Sequence, residues 1–337
     1  MNVNITYKKI LVMKTRSVGD NIVMLPALRL LRIRFPHSII KVLTATESIS
    51  PLLHLPYIDG IYSFQKKTML LKRIWQSFLI IRKIRKYHFD LLICFEASNG
   101  DERLSLFLGA RKRLIYPYKY GRRSRFSHFD AGKDMIKKQS VQEDIDALEP
   151  LGIHSDKPQF HYPLSDGAIA YAKKFLYKHN LKSRKFVVVH PGAGKEEKRW
   201  PKKRYAELVK RICSKYKLTS LIIFTKNEQE IYEWIYSKTV PCSIGLRDSF
   251  EHLAAIINES LIFIGNDSAP SHLACMLNVP SITLMSKDRR NTWFPYDRRY
   301  HKVLVGEVKK TEGKFIDRIT TDEVFSIFER FVSTKNE

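Results

Sequence analysis

Two segments of this chain place small residues and charged residues directly after an apolar run. Residues 190–201 read HPGAGKEEKRWP and follow KFVVV, while residues 265–274 read GNDSAPSHLA and follow LIFI. Short, valine- or isoleucine-rich runs of this kind predict buried strands. In parallel sheets ligands bind beyond the carboxyl ends of the strands, and phosphates commonly occupy helix N-termini there. The two segments therefore predict an anion site.

The first segment has residue types suited to a phosphate. Gly192 and Gly194 permit close approach of the backbone to an anion, and Lys198 and Arg199 supply positive charge. The alternative is an exposed loop whose cations contact only water. Lysine is frequent in this stretch, as Lys195 shows, so a lysine alone does not indicate a binding site. No G-x-x-x-x-G-K-[ST] sequence occurs, so a P-loop is excluded, and a dinucleotide fingerprint after the first strand is also absent.

The second segment is expected to begin a helix. Asp267 and Ser268 would lie at its start, where unpaired backbone amides attract phosphate oxygens, and His272 would follow about one turn later. The alternative is purely structural, because Asp and Ser are common helix N-caps and a helix histidine is often packed in a core. The two segments together favour the ligand-binding interpretation.

The elements that must position these residues form a repeated strand–helix pattern. Strands are predicted at 10–13, 38–45, 89–97 and 114–118, and again at 185–189, 219–223, 261–264 and 280–285. Strands that alternate with helices indicate parallel sheets covered on both faces. We expect two doubly wound α/β domains with a cleft between them, joined by a linker near 157–165, and a capped final helix at 320–333.

Bulk composition restricts the class of protein. The 337 residues are 44% apolar and 12% aromatic, which is typical of globular domains, and no apolar run reaches a bilayer-spanning length. The N-terminal sequence lacks a secretory pattern, so a cytoplasmic location is expected. The cysteines lack paired spacing, which argues against zinc, an iron–sulfur cluster or a disulfide framework. They are Cys94, Cys213, Cys242 and Cys275.

Positive charge is concentrated in two segments, 66–86 and 111–138, of a chain whose formal net charge is +25. Such a field attracts nucleic acid, anionic lipid or phosphorylated sugars. In the first segment a helix would place Leu70, Ile74, Phe78 and Ile81 on one apolar side, with cations towards the ends. This helix is either packed on a core or rests on an anionic lipid surface.

Four sequences in order, VGDNIVMLPALRLLRIRFP, HPGAGKEEKRWP, GNDSAPSHLACMLNVPSITLM and RRNTWFPY, resemble glycosyltransferase family 9, the heptosyltransferases of lipopolysaccharide core assembly. The similarity extends from Ile10 to Tyr296. It implies a GT-B fold with two Rossmann-like domains facing across a cleft. Residues 1–160 would bind the acceptor and residues 161–319 the nucleotide sugar, while 320–337 would return as a helix to the first domain.

The resemblance also implies residue roles. Asp20, in the Gly19–Asp20 pair, matches the catalytic carboxylate that would take the proton of the acceptor hydroxyl, and Lys198 matches the lysine on the donor diphosphate. Glu228 lies where the family has a ribose-binding glutamate, with Glu230 as the alternative. The donor-binding turn and helix are matched by Asp267, Ser268, Ala269, Pro270 and His272.

One position departs from the family pattern. The turn usually reads Asp-[Ser/Thr]-Gly, and Ala269 replaces the glycine, an obstacle if a positive φ or close approach to the diphosphate is needed. The donor sugar and nucleotide could therefore differ from those of the family. Transfer of another sugar such as N-acetylglucosamine, or transfer to a non-lipid acceptor such as a protein, stays open.

The partners implied are a nucleotide sugar, most simply ADP-heptose, and a phosphorylated lipid A–core acceptor on the cytoplasmic face of an anionic inner membrane. Acceptor phosphates would be bound by Arg122, Arg123 or Arg125, with Arg111 as a further candidate. Neither a metal ion nor a cofactor is expected. A basic nucleic-acid-binding protein is the alternative from another class; no nucleic-acid-binding signature occurs, so nucleic acid is not expected as a partner.

Overall fold

A computed structural model describes residues 6–65, 69–117, 123–130, 140–294, 296–297, 299–306 and 315–333, with the backbone alone described at 70–74 and 291. The chain forms two compact units, Met1–Gln159 and Phe160–Glu337. Each unit contains a parallel sheet of buried, mostly β-branched or leucine-rich strands, as the repeated pattern predicts.

The first unit has a five-stranded sheet in the order β3-β2-β1-β4-β5, and its pairings are parallel. Its elements are β1 (Lys9–Met13), α1 (Val18–Val23), α2 (Leu25–Arg34), β2 (Ile39–Ala45), β3 (Gly60–Phe64), α3 (Leu70–Arg85), β4 (Leu91–Ala97), α4 (Asn99–Phe107), β5 (Lys112–Pro117) and α5 (Ser140–Asp146). The strand order reverses between β1 and β4. Such a switch point leaves a crevice at the carboxyl edge.

The second unit has a six-stranded sheet in the order β11-β10-β9-β6-β7-β8, and its pairings are also parallel. Its elements are α6 (Asp166–Lys178), β6 (Phe186–His190), α7 (Lys202–Tyr216), β7 (Thr219–Ile223), α8 (Gln229–Thr239), β8 (Ser243–Leu246), α9 (Phe250–Asn258), β9 (Ile262–Asn266), α10 (Ala269–Met276), β10 (Ser281–Met285), α11 (Arg290–Trp293), β11 (His301–Val305) and α12 (Thr321–Ser333). Here the switch point lies between β6 and β9.

The last helix, α12, packs within the second unit. Val324 and Phe328 are fully buried in the core of this unit, among side chains of α7 that include Val209. The helix starts at a capping pair, in which the Glu323 carboxylate accepts from the backbone N–H of Thr320 at 2.7 Å. The capped start is thus confirmed, whereas a return of this helix to the first unit stays a prediction.

One expectation about the cysteines is wrong. Cys213, in the last turn of α7, is disulfide-bonded to Cys242, which immediately precedes β8. A helix between parallel strands runs opposite to them, so the end of α7 and the start of β8 meet at the amino edge of the sheet. A sequence separation of 29 residues conceals this proximity. Cys94 and Cys275 are buried free thiols.

The prediction that one side of α3 is apolar and carries both Phe78 and Ile81 is also wrong in part. Phe78 is 54% exposed, while Ile81 packs partly buried against the core of the first unit. The side chains of Leu70 and Ile74 lie outside the described residues. The two residues predicted to share a side therefore face different environments, because the helix contacts the sheet through Ile80, Ile81 and Ile84 instead.

Candidate functional site

The two segments singled out in the sequence leave neighbouring strands at the switch point of the second unit. His190, the last residue of β6, pairs in register with Gly265 of β9. The loop at 191–201 and the turn at 267–268 therefore begin side by side at the carboxyl edge. This is the position at which doubly wound sheets bind ligands.

A salt bridge joins the two segments. The Lys198 ammonium nitrogen lies 2.7 Å from Oδ2 of Asp267, and the lysine side chain is partly exposed whereas the aspartate is buried. Nε2 of His272 lies 3.9 Å from the other oxygen of the same carboxylate. Asp267 therefore holds the ammonium group beside the first turn of α10, where it can also contact a ligand oxygen.

The turn before α10 has the N-terminal geometry expected from its sequence. Ser268 is the N-cap, and Oγ of Ser271 accepts from its N–H at 3.2 Å while donating to its carbonyl at 2.6 Å. Ala269 and Pro270 form the half-buried first turn, where proline needs no N–H. Ala269 is not among the described residues with positive φ, so alanine causes no backbone strain here.

His272 is a packed residue. Its Nδ1 lies 3.2 Å from the Tyr296 hydroxyl, and its ring centroid lies 4.9 Å from that of Phe294. Only 4% of the residue is exposed. Its contribution to the site is therefore to pack beside the Asp267 carboxylate, on the side that faces the core.

Glu228, rather than Glu230, lies at this edge. Its Oε2 accepts from the N–H of Thr225 at 2.8 Å and from the Thr225 hydroxyl at 2.9 Å, and lies 3.4 Å from Nε2 of His190. Burial raises the pKa of Glu228, but these contacts with His190 and Thr225 outweigh it and lower the pKa to about 2. The group is a fixed carboxylate, whereas Glu230 is exposed on α8.

The anion that approaches Gly192 in this structure is the Glu228 carboxylate. A methyl group at position 192 would overlap that carboxylate, whereas at Gly194 nothing lies within 4 Å of the equivalent position. The sequence predicted close approach at both glycines. Only Gly192 is closely approached by another part of the chain, and Gly194 is exposed in the loop.

Asn266 was not predicted as a site residue, yet it organises the loop. Its Nδ2 donates to the carbonyls of Pro191 at 2.8 Å and Gly192 at 3.1 Å. Its Oδ1 accepts from the backbone N–H of Trp200 at 3.1 Å and from the Tyr205 hydroxyl at 3.0 Å. A fully buried amide with these partners holds both ends of the loop against β9. A polar residue at the end of an apolar strand was the available signal.

His190 was also not predicted as a site residue, although it too is a polar residue at the end of an apolar strand. It is buried at the end of β6, and its Nδ1 lies 3.1 Å from Oγ of Ser268, while its Nε2 faces Glu228. The ring therefore connects the turn before α10 with the loop after β7. Arg199, the alternative cation, donates to the carbonyl of Ala193 at 3.0 Å and so also supports the loop.

In the first unit, Asp20 lies in the first turn of α1, the helix that follows β1. Its Oδ2 accepts from the Ser17 N–H at 2.8 Å and the Ser17 hydroxyl at 2.6 Å, which makes it the third residue of a capping box on α1. The residue is half-buried, as is Gly19 in the same helix. Asp20 is thus at the carboxyl edge of the first sheet, beside the β1/β4 switch point.

A buried ionic cluster that was not predicted lies directly after β1, at the same edge of the sheet. The Lys14 ammonium nitrogen lies 2.5 Å from Oδ2 of Asp144 and 3.3 Å from Oε2 of Glu96, and all three residues are buried. Burial lowers the pKa of Lys14, but Asp144 and Glu96 outweigh this and raise it. Glu96 has a φ of 45° beside an irregularity in the β4–β5 pairing, which turns it towards β1.

Two of the predicted acceptor-binding arginines, Arg123 and Arg125, have exposed side chains. Arg123 forms a 2.8 Å salt bridge with Asp130, and Arg125 lies over the Phe126 ring at 4.8 Å. Arg122 lies outside the described residues. Among the described residues no group of three or more His, Cys, Asp or Glu side chains is placed to hold a metal ion.

Two parallel α/β units, each with a switch point in its sheet, are the architecture of a fold of the GT-B type. Residues 78–318 match the family model of glycosyltransferase family 9 (heptosyltransferase), and the chain belongs to this family. It is 23% identical over 305 residues to lipopolysaccharide heptosyltransferase 3 of Escherichia coli, covering 87% of each chain.

Solved structures are similar along the whole chain. The glycosyl transferase family 9 protein of Veillonella parvula superposes with a TM-score of 0.81 at 21% identity, covering 98% of this chain and 99% of that one. ADP-heptose lps heptosyltransferase II of E. coli gives a TM-score of 0.76 at 20% identity, covering 98% and 100%. The GT-B fold expected from the sequence is thereby confirmed.

The two glycines provide a matched test of the loop. We expect Gly192→Ala to displace the Glu228 carboxylate from its contacts with Thr225 and His190, which costs about 1–3 kcal/mol of stability and should weaken binding of the nucleotide sugar that the family resemblance implies. Gly194→Ala should change neither quantity. Thermal unfolding and ligand titration of both variants measure this, and equal effects of the two substitutions would contradict the close approach at Gly192.

Proposed function

We propose that this protein is an inverting glycosyltransferase that transfers heptose from ADP-heptose to a lipopolysaccharide inner-core acceptor. The observation that carries the proposal is the Lys198–Asp267 pair beside the first turn of α10, at the switch point of the second unit. A cation at that position suits the diphosphate of a nucleotide sugar. The similar E. coli proteins support a heptose donor and a lipopolysaccharide acceptor through their names.

The donor residues have distinct tasks in this proposal. Lys198 and the turn at Ser268–Pro270 bind the diphosphate, and Asp267 orients both the lysine and the sugar. Glu228, ionised and buried beside Gly192, accepts hydrogen bonds from ribose hydroxyls. His272 supports Asp267 from the core side.

The chemical step is a single displacement. Asp20 takes the proton of the acceptor hydroxyl as that oxygen forms a bond to the anomeric carbon, and the bond from this carbon to the diphosphate oxygen breaks. The electron pair of the broken bond goes to the diphosphate, where Lys198 stabilises the added charge. Because Lys198 stabilises this charge, the proposed reaction needs no metal ion and no cofactor.

The acceptor is proposed to be a phosphorylated lipid A–core molecule at the cytoplasmic face of the inner membrane. Arg123 and Arg125, with Arg122 beside them in sequence, would bind its phosphates, since guanidinium groups bind phosphate through paired hydrogen bonds. In the part of the chain that the structure describes, no helix is both long and apolar enough to cross a bilayer.

A donor panel tests the function. We expect ADP-heptose to raise the melting temperature in excess EDTA without added metal, since a ligand at 100 times its Kd adds about 2.7 kcal/mol of stability. UDP-N-acetylglucosamine should give no shift. A shift with the UDP-sugar alone would reject the heptose donor in favour of another sugar. A shift that needs added magnesium would reject metal independence.

A further inference from the structure

Helix α3 of the first unit has an apolar face that none of the described residues of that unit covers. Trp75, Phe78 and Leu79 are 62%, 54% and 46% exposed, at the i, i+3 and i+4 spacing of one helix face. The rings of Trp75 and Phe78 stack with centroids 6.0 Å apart. Three large apolar side chains are thus grouped on the outside of the unit.

This face is not an extension of the core. The core is contacted by the other side of the helix, through fully buried Ile84 and partly buried Ile80 and Ile81. The helix is therefore apolar on two sides. An exposed apolar group of this kind on an otherwise strongly charged protein indicates an interaction surface.

Cations continue the same face towards the C-terminus of the helix. Arg82 and Lys86 follow Trp75 and Leu79 at helical spacing, and both are exposed, as is Arg85. The Arg85 guanidinium donates to the carbonyl of Phe107 at the end of α4, where the Leu106 and Phe107 side chains are also exposed. The surface thus combines aromatic and aliphatic groups with flanking positive charge.

The topology places the aromatic part of this surface towards the functional edge of the first unit. Because α3 connects the parallel strands β3 and β4, it runs from the carboxyl edge of the sheet to the amino edge. Trp75, in the first half of α3, therefore lies nearer to the carboxyl edge, which also carries Asp20. The cations at 82–86 lie towards the opposite edge.

We infer that the face formed by Trp75, Phe78, Leu79, Arg82 and Lys86, here called the α3 face, docks on an anionic lipid bilayer. Aromatic and aliphatic side chains would enter the interfacial region while the cations contact lipid phosphates. A second copy of this chain is disfavoured because it would bring like charges together. The inference concerns binding to lipid; its relevance to the acceptor rests on the proposed function.

Vesicle binding by the full-length protein tests the inference. We expect sedimentation with vesicles of phosphatidylcholine containing phosphatidylglycerol, and much weaker sedimentation with phosphatidylcholine alone. The triple variant Trp75→Ser/Phe78→Ser/Leu79→Ser should bind the anionic vesicles about tenfold more weakly or worse, because its inserting groups are gone. Arg82→Gln and Lys86→Gln should each weaken binding about fivefold, the equivalent of ~1 kcal/mol per cation.

A matched control removes three exposed apolar side chains elsewhere, in the variant Ile33→Ser/Tyr177→Ser/Tyr300→Ser. It should bind vesicles as the wild type does. Equal losses in both triple variants, or no binding by the wild type, would overturn the inference. So would a wild-type dimer in sedimentation velocity that the α3 variant abolishes, since that outcome assigns the face to a second copy.

The outcome is separable from that of the proposed function. The α3 variant should stay folded and should keep the ADP-heptose shift and transfer to a delipidated, water-soluble acceptor. Only transfer to an acceptor embedded in vesicles should fall, through a higher apparent KM. If ADP-heptose failed to raise the melting temperature of the wild type, the proposed donor would be rejected, and vesicle binding could still be interpreted. If the α3 variant still bound vesicles, the α3 face would be rejected as the lipid-binding surface, and the proposed function would be unaffected.

Discussion

Asp20→Asn is expected to reduce sugar transfer by about 10²–10⁴-fold while the protein stays folded and binds nucleotide sugar normally. The amide oxygen of asparagine can still accept from the Ser17 N–H, so the capping of α1 is largely kept. What is lost is the carboxylate that, in the proposed mechanism, takes the acceptor proton. Initial rates at saturating donor, together with donor titration, measure both quantities.

The control must separate catalysis from helix capping, which is the structural role that Asp20 also has. Glu323 forms the equivalent capping pair with Thr320 at α12, in the second unit and exposed to solvent. Glu323→Gln should cost at most about 1 kcal/mol of stability and leave the transfer rate unchanged. Near-normal turnover by folded Asp20→Asn protein would remove the general-base assignment.

Lys198→Ala is expected to weaken donor binding and to lower kcat as well, with a loss of about 10²–10³-fold in kcat/KM. In the proposed mechanism the ammonium group contacts the diphosphate in the ground state, and more strongly as negative charge grows on the leaving group. The substitution also leaves the buried Asp267 carboxylate without its closest cation, so a moderate loss of stability accompanies it.

Lys195 in the same loop is the matched control. Its side chain is well exposed and lies 3.7 Å from Glu197, another exposed group. Lys195→Ala should leave donor affinity and rate unchanged, because surface ion pairs contribute little. If Lys195→Ala caused the loss and Lys198→Ala did not, the phosphate contact would belong to the other lysine.

Much of this architecture is readable from the sequence because local patterns determine it. Apolar runs bounded by turn residues predicted β6 and β9, and the small and charged residues after them predicted an anion site at their carboxyl ends. Ser268 as a helix N-cap and the capped start of α12 were predictable because capping depends on residues within one turn. β3, β8 and β11 were missed because they are edge strands that are only partly buried, so they lack a continuous apolar run.

What the sequence alone determined was thus the class of fold, the order of the motifs and the family. Only the tertiary structure decided which residues meet across long separations: Lys14 with Asp144, Glu228 with Gly192, Asn266 with Trp200, and Cys213 with Cys242. It also decided which side of α3 faces the core. These contacts depend on strand order and helix rotation, which the packing of the whole unit sets and no local pattern encodes.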